Sequence, residues 1–174
     1  MRAVFDAIDR LGIRYLVTGS VAASVHGVLR QTHDTDVVLD LDPTGFKPLA
    51  DALRPGHAIA DPIEFGDFAM ASVVDIATAD KVDLILRRAG PFEASAMGRR
   101  RLEEVPGLGA VWVASVEDLI LAKLAWSEGT SELQLRDCAQ LLRINAGSID
   151  RAYLERWALR LRVADRLSEV GDAT

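Results

Sequence analysis

The sequence predicts an α+β fold, and two observations support this. Runs of β-branched and aliphatic residues with the length of strands alternate with helical patterns, at residues 13–18, 35–41, 70–78 and 81–86. Beyond about residue 114 the strand character ends and helical patterns follow one another. We therefore expect an α+β core over residues 1–114 and a C-terminal helical segment, residues 115–174, packed on that core.

The first half of the chain begins with a helix. Apolar residues recur there at helical spacing, at Val4, Phe5, Ile8 and Leu11. Gly12 is expected to end this helix, because glycine is the usual residue just beyond a helix terminus. A strand, a glycine-led turn opening a short helix at 19–29, and a second strand follow. Asp42 and Pro43 then predict the start of a helix that extends to about Leu53.

The second half predicts hairpins and then helices. Residues 70–78 and 81–86 read as an antiparallel hairpin, and a helix near 92–97 precedes a second hairpin around Pro106. Helices are expected at 115–126, 131–144 and 150–167. Ser115 and Asp118 have the spacing of a capping box, and Asp150 is the predicted N-cap of the last helix. The stretch 55–67, rich in proline and glycine, gives the weakest signal.

Composition indicates an ordinary globular protein. Of the 174 residues, 49% are hydrophobic and 26% are charged, which is typical of a folded domain. Asp6 and Asp9 interrupt the N-terminal region, and no apolar run reaches the roughly 18 residues of a membrane span, so we expect a cytoplasmic protein without a membrane partner. Cys138 is the single cysteine, which excludes an internal disulfide and a cysteine-rich zinc site.

Negative charge is concentrated in the first half of the chain. Residues 1–86 contain 13 acidic against 7 basic residues, whereas residues 87–174 contain 13 of each. Within this acidic half, Asp34, Asp36 and Asp40 fall on one face of the second predicted strand. Such an excess means either a solvated acidic surface or a cation site in which a metal supplies the missing charge.

The residues around these acids resemble a known family. The segment "LVTGS", thirteen further residues and then "DTDV" is similar to the signature of nucleotidyltransferases of the DNA polymerase β type. The longer pattern "GSVAASVHGVLRQTHDTD" resembles the AbiEii/AbiGii and MenT toxin branch, in which Arg30 and Thr32 match an Arg-x-Thr motif. "KVDLIL", "EDLILAKL" and "RDCAQLL" match the later motifs. Thr35 departs from the pattern, because an aliphatic residue usually separates the two acids.

The resemblance implies a polymerase β-like core, with a mixed sheet flanked by helices, and a reaction. A nucleoside triphosphate, for instance ATP, would give its nucleotidyl group to a hydroxyl and release pyrophosphate. Asp34, Asp36 and Asp83 would hold Mg²⁺, two ions in this chemistry, and Asp83 would also accept the proton of the hydroxyl. Gly19 and Ser20 would bind the triphosphate at a tight turn.

Lysine is rare in this chain, which contains 17 Arg and three Lys. Because a compact ammonium is a common phosphate partner, Lys123 is the candidate for contacting the triphosphate. Lys81 is expected to balance Asp83. Asp137 is assigned to the site by the resemblance alone, the alternative being a surface pair with its neighbour Arg136. Arg30 has two readings that the sequence leaves open, a phosphate contact or an ion pair with the acids.

The resemblance also suggests a biological role. The protein would be the toxin of a toxin-antitoxin pair, would modify the 3′ end of tRNA and would bind a cognate antitoxin. The same residues are compatible with transfer of AMP to a protein hydroxyl or of a nucleotide to an aminoglycoside-like small molecule. An inactive nucleotidyltransferase-like module that binds a partner through its helical segment is a further alternative.

Overall fold

The computed structural model describes residues 1–30, 34–87, 90–126 and 131–172. The strands in these residues are β1 (Tyr15–Val17), β2 (Asp34–Asp40), β3 (His57–Ile59), β4 (Ile63–Phe65), β5 (Phe68–Asp75), β6 (Lys81–Arg87), β7 (Arg101–Val105) and β8 (Gly109–Val113). The α-helices are α1 (Arg2–Arg10), α2 (Gly19–Val25), α3 (Lys47–Leu53), α4 (Pro91–Arg99), α5 (Val116–Trp126), α6 (Glu132–Ile144), α7 (Arg151–Arg160) and α8 (Ala164–Asp172).

The strands form one mixed sheet in the order β3-β5-β6-β2-β1-β8-β7, and β4 also pairs with β5. β2 runs parallel to β6 and β1 runs parallel to β8, whereas the other pairs are antiparallel. Both predicted hairpins, β5-β6 and β7-β8, are present. The predicted α+β fold with a mixed sheet is therefore confirmed.

The two faces of β2 differ in chemistry. Thr35, Val37 and Leu39 are buried on one face. The other face carries Asp34, Asp36 and Asp40. This alternation follows from the two-residue period of a strand, which sends successive side chains to opposite sides. The apolar face packs into the core, so the acidic face is directed away from it.

Helix α5 is enclosed by the rest of the protein. Leu119, Ile120, Leu121 and Leu124 are completely buried, and the helix contacts α2, α6 and α7. A helix that is apolar on all sides is stable only inside a core. The buried residues before and after residue 114 belong to one hydrophobic cluster. The division into parts at residues 1–114 and 115–174 stays a prediction, and any such parts share this core.

The prediction of a single last helix over 150–167 was wrong, because α7 ends at Arg160 and α8 begins at Ala164. Arg162 has a left-handed backbone, with φ of 59°. The Val163 amide donates to the Ala158 carbonyl and the Arg162 amide donates to the Leu159 carbonyl. These two bonds are those of a Schellman motif, in which glycine is the usual left-handed residue. Burial of Val163 favours this turn although no glycine marks it in the sequence.

The helix predicted from Pro43 to Leu53 is also divided. A 3-10 turn at Pro43–Gly45 precedes α3, which begins at Lys47. Asp42 accepts a hydrogen bond from the amide of Thr44 and so caps the 3-10 turn rather than the α-helix. Pro48, in the first turn of α3, has no amide hydrogen to donate, which suits a separate helix start at this point.

A buried polar cluster joins α4, α5 and α7. Asp118 accepts hydrogen bonds from the Tyr153 hydroxyl at 2.5 Å and from the Ser115 hydroxyl at 2.6 Å. Burial raises the pKa of Asp118. Arg99 lies over the Tyr153 ring at 3.9 Å and contacts Glu117 at 2.9 Å. Because Asp118 is on the helix that also carries Lys123, this cluster fixes the position of that lysine.

We predict that Tyr153→Phe lowers the free energy of unfolding by about 1–3 kcal/mol, because Asp118 loses a buried donor. Thermal unfolding followed by circular dichroism measures the loss. Tyr15→Phe is the matched control, since the Tyr15 hydroxyl accepts a long hydrogen bond of 3.5 Å from the Trp112 amide, which contributes less. Equal losses in the two variants would contradict this account of the cluster.

Candidate active site

The centre of the site is the pairing of β2 with β6. The two strands are parallel and in a register that places Asp36 opposite Asp83 and Asp34 opposite Lys81. Neighbouring strands are about 4.8 Å apart, and paired residues point to the same face. The fold therefore brings Asp36 and Asp83 together, although 46 residues separate them in the sequence.

Asp83 is buried and held by two donors. The Ser72 hydroxyl donates to one carboxylate oxygen at 2.6 Å, and Lys81 Nζ donates to the other at 2.7 Å. Lys81 is also 3.9 Å from Asp34, so it lies between two of the three acids. The hydrogen bond to Asp83 raises the pKa of Lys81. Lys81 thus balances Asp83, as the sequence predicted, and it contacts Asp34 as well.

Asp36 is in an unfavourable environment for a charge. Burial raises the pKa of this carboxyl, and the charges of Asp83 and Asp34 raise it further. The charges of Lys123 and Lys81 oppose the shift but do not cancel it. A cation placed beside Asp36 would therefore stabilise its ionised form.

Gly19 begins α2 directly beside Asp36. Its φ is +63°, in the left-handed region that glycine tolerates, and a Cβ at this position would lie 1.9 Å from Asp36 Oδ2. The Thr18 amide donates to the Asp36 carbonyl at 2.9 Å, which fixes the turn against β2. The Gly-Ser turn and the central carboxylate are thus in direct contact, and only glycine permits this approach.

A second charged group joins three segments of the chain. Asp137, on α6, accepts a hydrogen bond from Lys123 at 3.0 Å and one from Arg30 at 2.9 Å. Asp137 and Lys123 are both buried. The structure therefore places Asp137 in this group rather than in a surface pair with Arg136. The ion-pair partner of Arg30 is Asp137 and not an acid of β2 or β6, and its contact with phosphate stays a prediction. Two cations share one carboxylate, which leaves a net positive charge.

A cavity of about 870 Å³ adjoins both groups. Predicted residues that line it are Gly19, Ser20, Arg30, Asp36 and Lys123. The lining does not include Asp34, Asp83 or Asp137. Asp83 is paired with Asp36 across the sheet, and Asp137 contacts the cavity only through Lys123, which donates to it. Thr32 falls outside the described residues. The cavity therefore collects one carboxylate, the Gly-Ser turn and the two cations in one place.

Several cavity-lining residues have no counterpart in the sequence prediction. They are mainly aromatic or belong to ion pairs, and they include Phe65, Phe68, Arg87, Glu93 and Trp126. No sequence motif marks them, because they come from β4, β5, β6, α4 and α5 and meet only when the chain folds.

The arrangement of the carboxylates is suited to a Mg²⁺ ion that binds together with a nucleotide. Mg²⁺ is usually held by one or two carboxylates together with substrate phosphates, rather than by a cage made of protein alone. Asp36 and Asp83 offer such a pair, with Asp34 beside them. In the part of the chain that the structure describes, no three acidic, histidine or cysteine side chains form a ready-made metal cluster. The ammonium group of Lys81 lies beside Asp34 and Asp83, where positive charge reduces the repulsion between the carboxylates.

The remaining acids of these strands are satisfied away from the site. Asp40, at the end of β2, forms an ion pair with Arg14. Asp75, at the end of β5, accepts hydrogen bonds from the amides of Ala77 and Thr78, which lower its pKa.

None of the helices in the described ranges has the length and apolar character that crossing a bilayer requires.

No protein-family model and no curated protein sequence matches this chain. Solved structures do match it. The antibiotic-resistance factor ANT(2'')-Ia, determined in solution, is 16% identical with a TM-score of 0.61 and covers 96% of this chain and 92% of its own. Its crystal structure in complex with adenylyl-2''-tobramycin is 15% identical at the same TM-score, with coverages of 92% and 93%.

Two further structures have the same architecture. A nucleotidyltransferase-like antigen from Paracoccidioides brasiliensis is 15% identical, has a TM-score of 0.52 and covers 95% of this chain and 90% of its own. A Thermotoga maritima protein proposed to be a nucleotidyltransferase is 19% identical, with a TM-score of 0.54 and coverages of 78% and 87%. The chain therefore has the nucleotidyltransferase fold. The narrower resemblance to the AbiEii and MenT toxin branch stays a prediction.

We predict that Gly19→Ala lowers the free energy of unfolding by more than the left-handed backbone conformation alone explains. A left-handed alanine costs about 1–2 kcal/mol, and the new methyl group would also displace Asp36. Gly12→Ala is the matched control, because Gly12 has φ of +67° and no atom within 4 Å of a built Cβ. Chemical denaturation should show the larger loss for Gly19→Ala. Equal losses would mean that the contact with Asp36 is unimportant for stability.

We also predict that Asp36→Asn stabilises the metal-free protein by about 1 kcal/mol at pH 7. A raised pKa means that the unfolded chain loses its proton first as pH rises, so the ionised Asp36 destabilises the fold increasingly above about pH 4. The gain in melting temperature should therefore grow as pH rises from about 4 to the raised pKa of Asp36 and then level off. Asp40→Asn, on the same face of β2, should show no such gain because Arg14 balances that charge.

Proposed function

We propose that this protein is an NTP-dependent nucleotidyltransferase that uses Mg²⁺. The observation that carries the proposal is the register of β2 and β6, which sets Asp36 opposite Asp83 beside a glycine turn and a buried cation pair. The fold shared with ANT(2'')-Ia supports it. Divalent ions held by such an acidic pair would supply the positive charge that transfer of a nucleotidyl group requires.

In this proposal Asp34, Asp36 and Asp83 hold the ions. When bound, the metal would neutralise these acids and the phosphates. The acceptor hydroxyl attacks the α-phosphorus. Asp83 accepts the proton of the attacking hydroxyl, at the oxygen that Lys81 contacts in the present structure. Lys81 then continues to balance the acids through Asp34. The bond from the α-phosphorus to its bridging oxygen breaks, and pyrophosphate leaves.

The triphosphate binds beside Gly19 and Ser20. Lys123 and Arg30 both line the cavity, and their combined charge exceeds that of Asp137 by one. An anion in the cavity would be attracted by this excess. Asp137 holds the two cations in position before the nucleotide arrives, which reduces the ordering cost of binding.

The acceptor we propose is the 3′ end of tRNA, and with it a toxin role and a cognate antitoxin. These proposals rest on the sequence resemblance around Arg30 and the two acids of β2. A small-molecule acceptor is the second candidate, because ANT(2'')-Ia, which shares the fold, was crystallised with adenylyl-2''-tobramycin. Transfer to a protein hydroxyl and a binding module without activity are outcomes that the experiment below separates.

Incubation with each α-labelled triphosphate, Mg²⁺ and total tRNA tests the proposal. We expect label in RNA, and we expect Asp83→Asn to reduce the rate by about a hundredfold or more. Asp40→Asn should retain the parental rate, because Asp40 lies at the far end of β2 and pairs with Arg14.

Parallel reactions replace tRNA with tobramycin or with a protein extract. Label in tobramycin or in protein would overturn the tRNA proposal while supporting the transferase. Absence of transfer to every acceptor, together with no increase in melting temperature on adding Mg²⁺ and nucleotide, would overturn the transferase proposal itself.

A further inference from the structure

An exposed group of aromatic rings forms one side of the cavity. Phe65 stacks on Phe68 with ring centroids 5.5 Å apart, and the Trp126 ring lies 4.9 Å from Phe68. We call these three residues the aromatic wall. Phe65 is 48% exposed and Trp126 is 45% exposed, although both line a cavity. Their rings therefore keep surface that the protein itself does not cover.

The order of the strands locates this wall relative to the candidate chemistry. Across the sheet, Gly19 follows β1, Asp36 is on β2, Asp83 is on β6 and Phe68 is on β5. The wall is thus on the side of Asp83, whereas the Gly-Ser turn is on the opposite side of Asp36. If the triphosphate lies at the turn, the molecule that approaches Asp83 from the other side is the acceptor.

The sheet between the acids and the wall is apolar. Phe68 and Arg87 are each four residues from the Ser72-Asp83 pair, which is about 13 Å along the strands. Met70, Ile85 and Val38 line the cavity between these points. This distance suits the last nucleotides of a single strand, whose terminal hydroxyl would lie at Asp83 while a base lies against the wall.

The charges near the wall favour a neutral ring over a polycation. Arg87 contacts Asp67 and Glu93, each at 2.6 Å, and its guanidinium lies 5.7 Å from the centre of the Phe68 ring. These two carboxylates are therefore already paired and would have to give up Arg87 to bind an ammonium group. A planar base needs only the uncovered ring faces, on which stacking is tolerant of base identity.

We propose that the aromatic wall stacks a base at the 3′ end of a single-stranded RNA acceptor and so positions its terminal hydroxyl at the Asp36-Asp83 pair, which the cavity reaches at Asp36. The inference rests on the proposed function for the direction in which the acceptor approaches. It adds the residues that bind the acceptor, and it assigns Phe65 and Trp126 as positioning residues rather than catalytic ones.

The test is binding of an RNA trinucleotide with a free 3′ hydroxyl, measured by calorimetry with the full chain. Trp126→Leu and Phe65→Leu should each weaken binding by about 5- to 150-fold, the usual effect of removing one stacking partner. Trp126→Phe is the matched control that keeps a ring and should retain most of the affinity. Because both residues are about half exposed, the variants are expected to fold, and circular dichroism checks this.

Two further probes identify what the wall contacts. A trinucleotide backbone without any of its bases should bind the parent and Trp126→Leu equally, because it offers no ring to stack. The affinity for a non-reactive NTP analogue with Mg²⁺ should be unchanged in Trp126→Leu. If the variants weaken NTP binding instead of RNA binding, the wall serves the donor and the inference is overturned. Unchanged binding of both probes overturns it as well.

The inference and the proposed function can fail separately. Transfer of label to RNA with an unchanged KM for RNA in Trp126→Leu and Phe65→Leu would overturn the inference and leave the transferase proposal standing. Trinucleotide binding that depends on the wall, with no transfer from any triphosphate, would support the inference and overturn the transferase proposal.

Discussion

The repulsion among like charges at the centre of the sheet is the constraint on which the candidate site depends. Asp36 and Asp83 face each other across two parallel strands, and Asp34 is next to them. Lys81 offsets part of this charge through Asp83, and the charge of Lys123 lowers the pKa of Asp36 more than that of Lys81 does. The pKa of Asp36 is nevertheless raised, so the two lysines do not fully compensate the negative charge around this carboxylate. Such strain is common where a ligand supplies the missing interaction.

Helix α5 connects this acidic centre to the rest of the protein. It carries Asp118, fixed in a buried cluster, then Lys123 beside the cavity, then Trp126 on the aromatic wall. Its apolar residues from Leu119 to Leu121 and Leu124 are fully buried, which leaves this part of the helix little freedom to move. The same helix therefore determines the position of the candidate phosphate contact and of the candidate acceptor contact.

Local signals predicted most of the elements. The alternation in β2, the helical spacing in α1 and the two hairpins follow from periodicity that neighbouring residues alone determine. The break between α7 and α8 could not be predicted, since Arg162 adopts a left-handed conformation without glycine and burial of Val163 compensates for it. The weak signal over 55–67 has a similar cause, because β3 and β4 are short and are stabilised by pairing with β5.

By itself the sequence determined the spacing of Gly19, Ser20 and the two acids of β2, because one turn and one strand hold them close along the chain. It also predicted Asp83 as a third acid on a separate strand. Only the tertiary structure decided the register that sets Asp83 opposite Asp36, the sharing of Asp137 by two cations and the meeting of three aromatic rings. These contacts join residues far apart in sequence, and packing of the whole core, rather than any local pattern, fixes them.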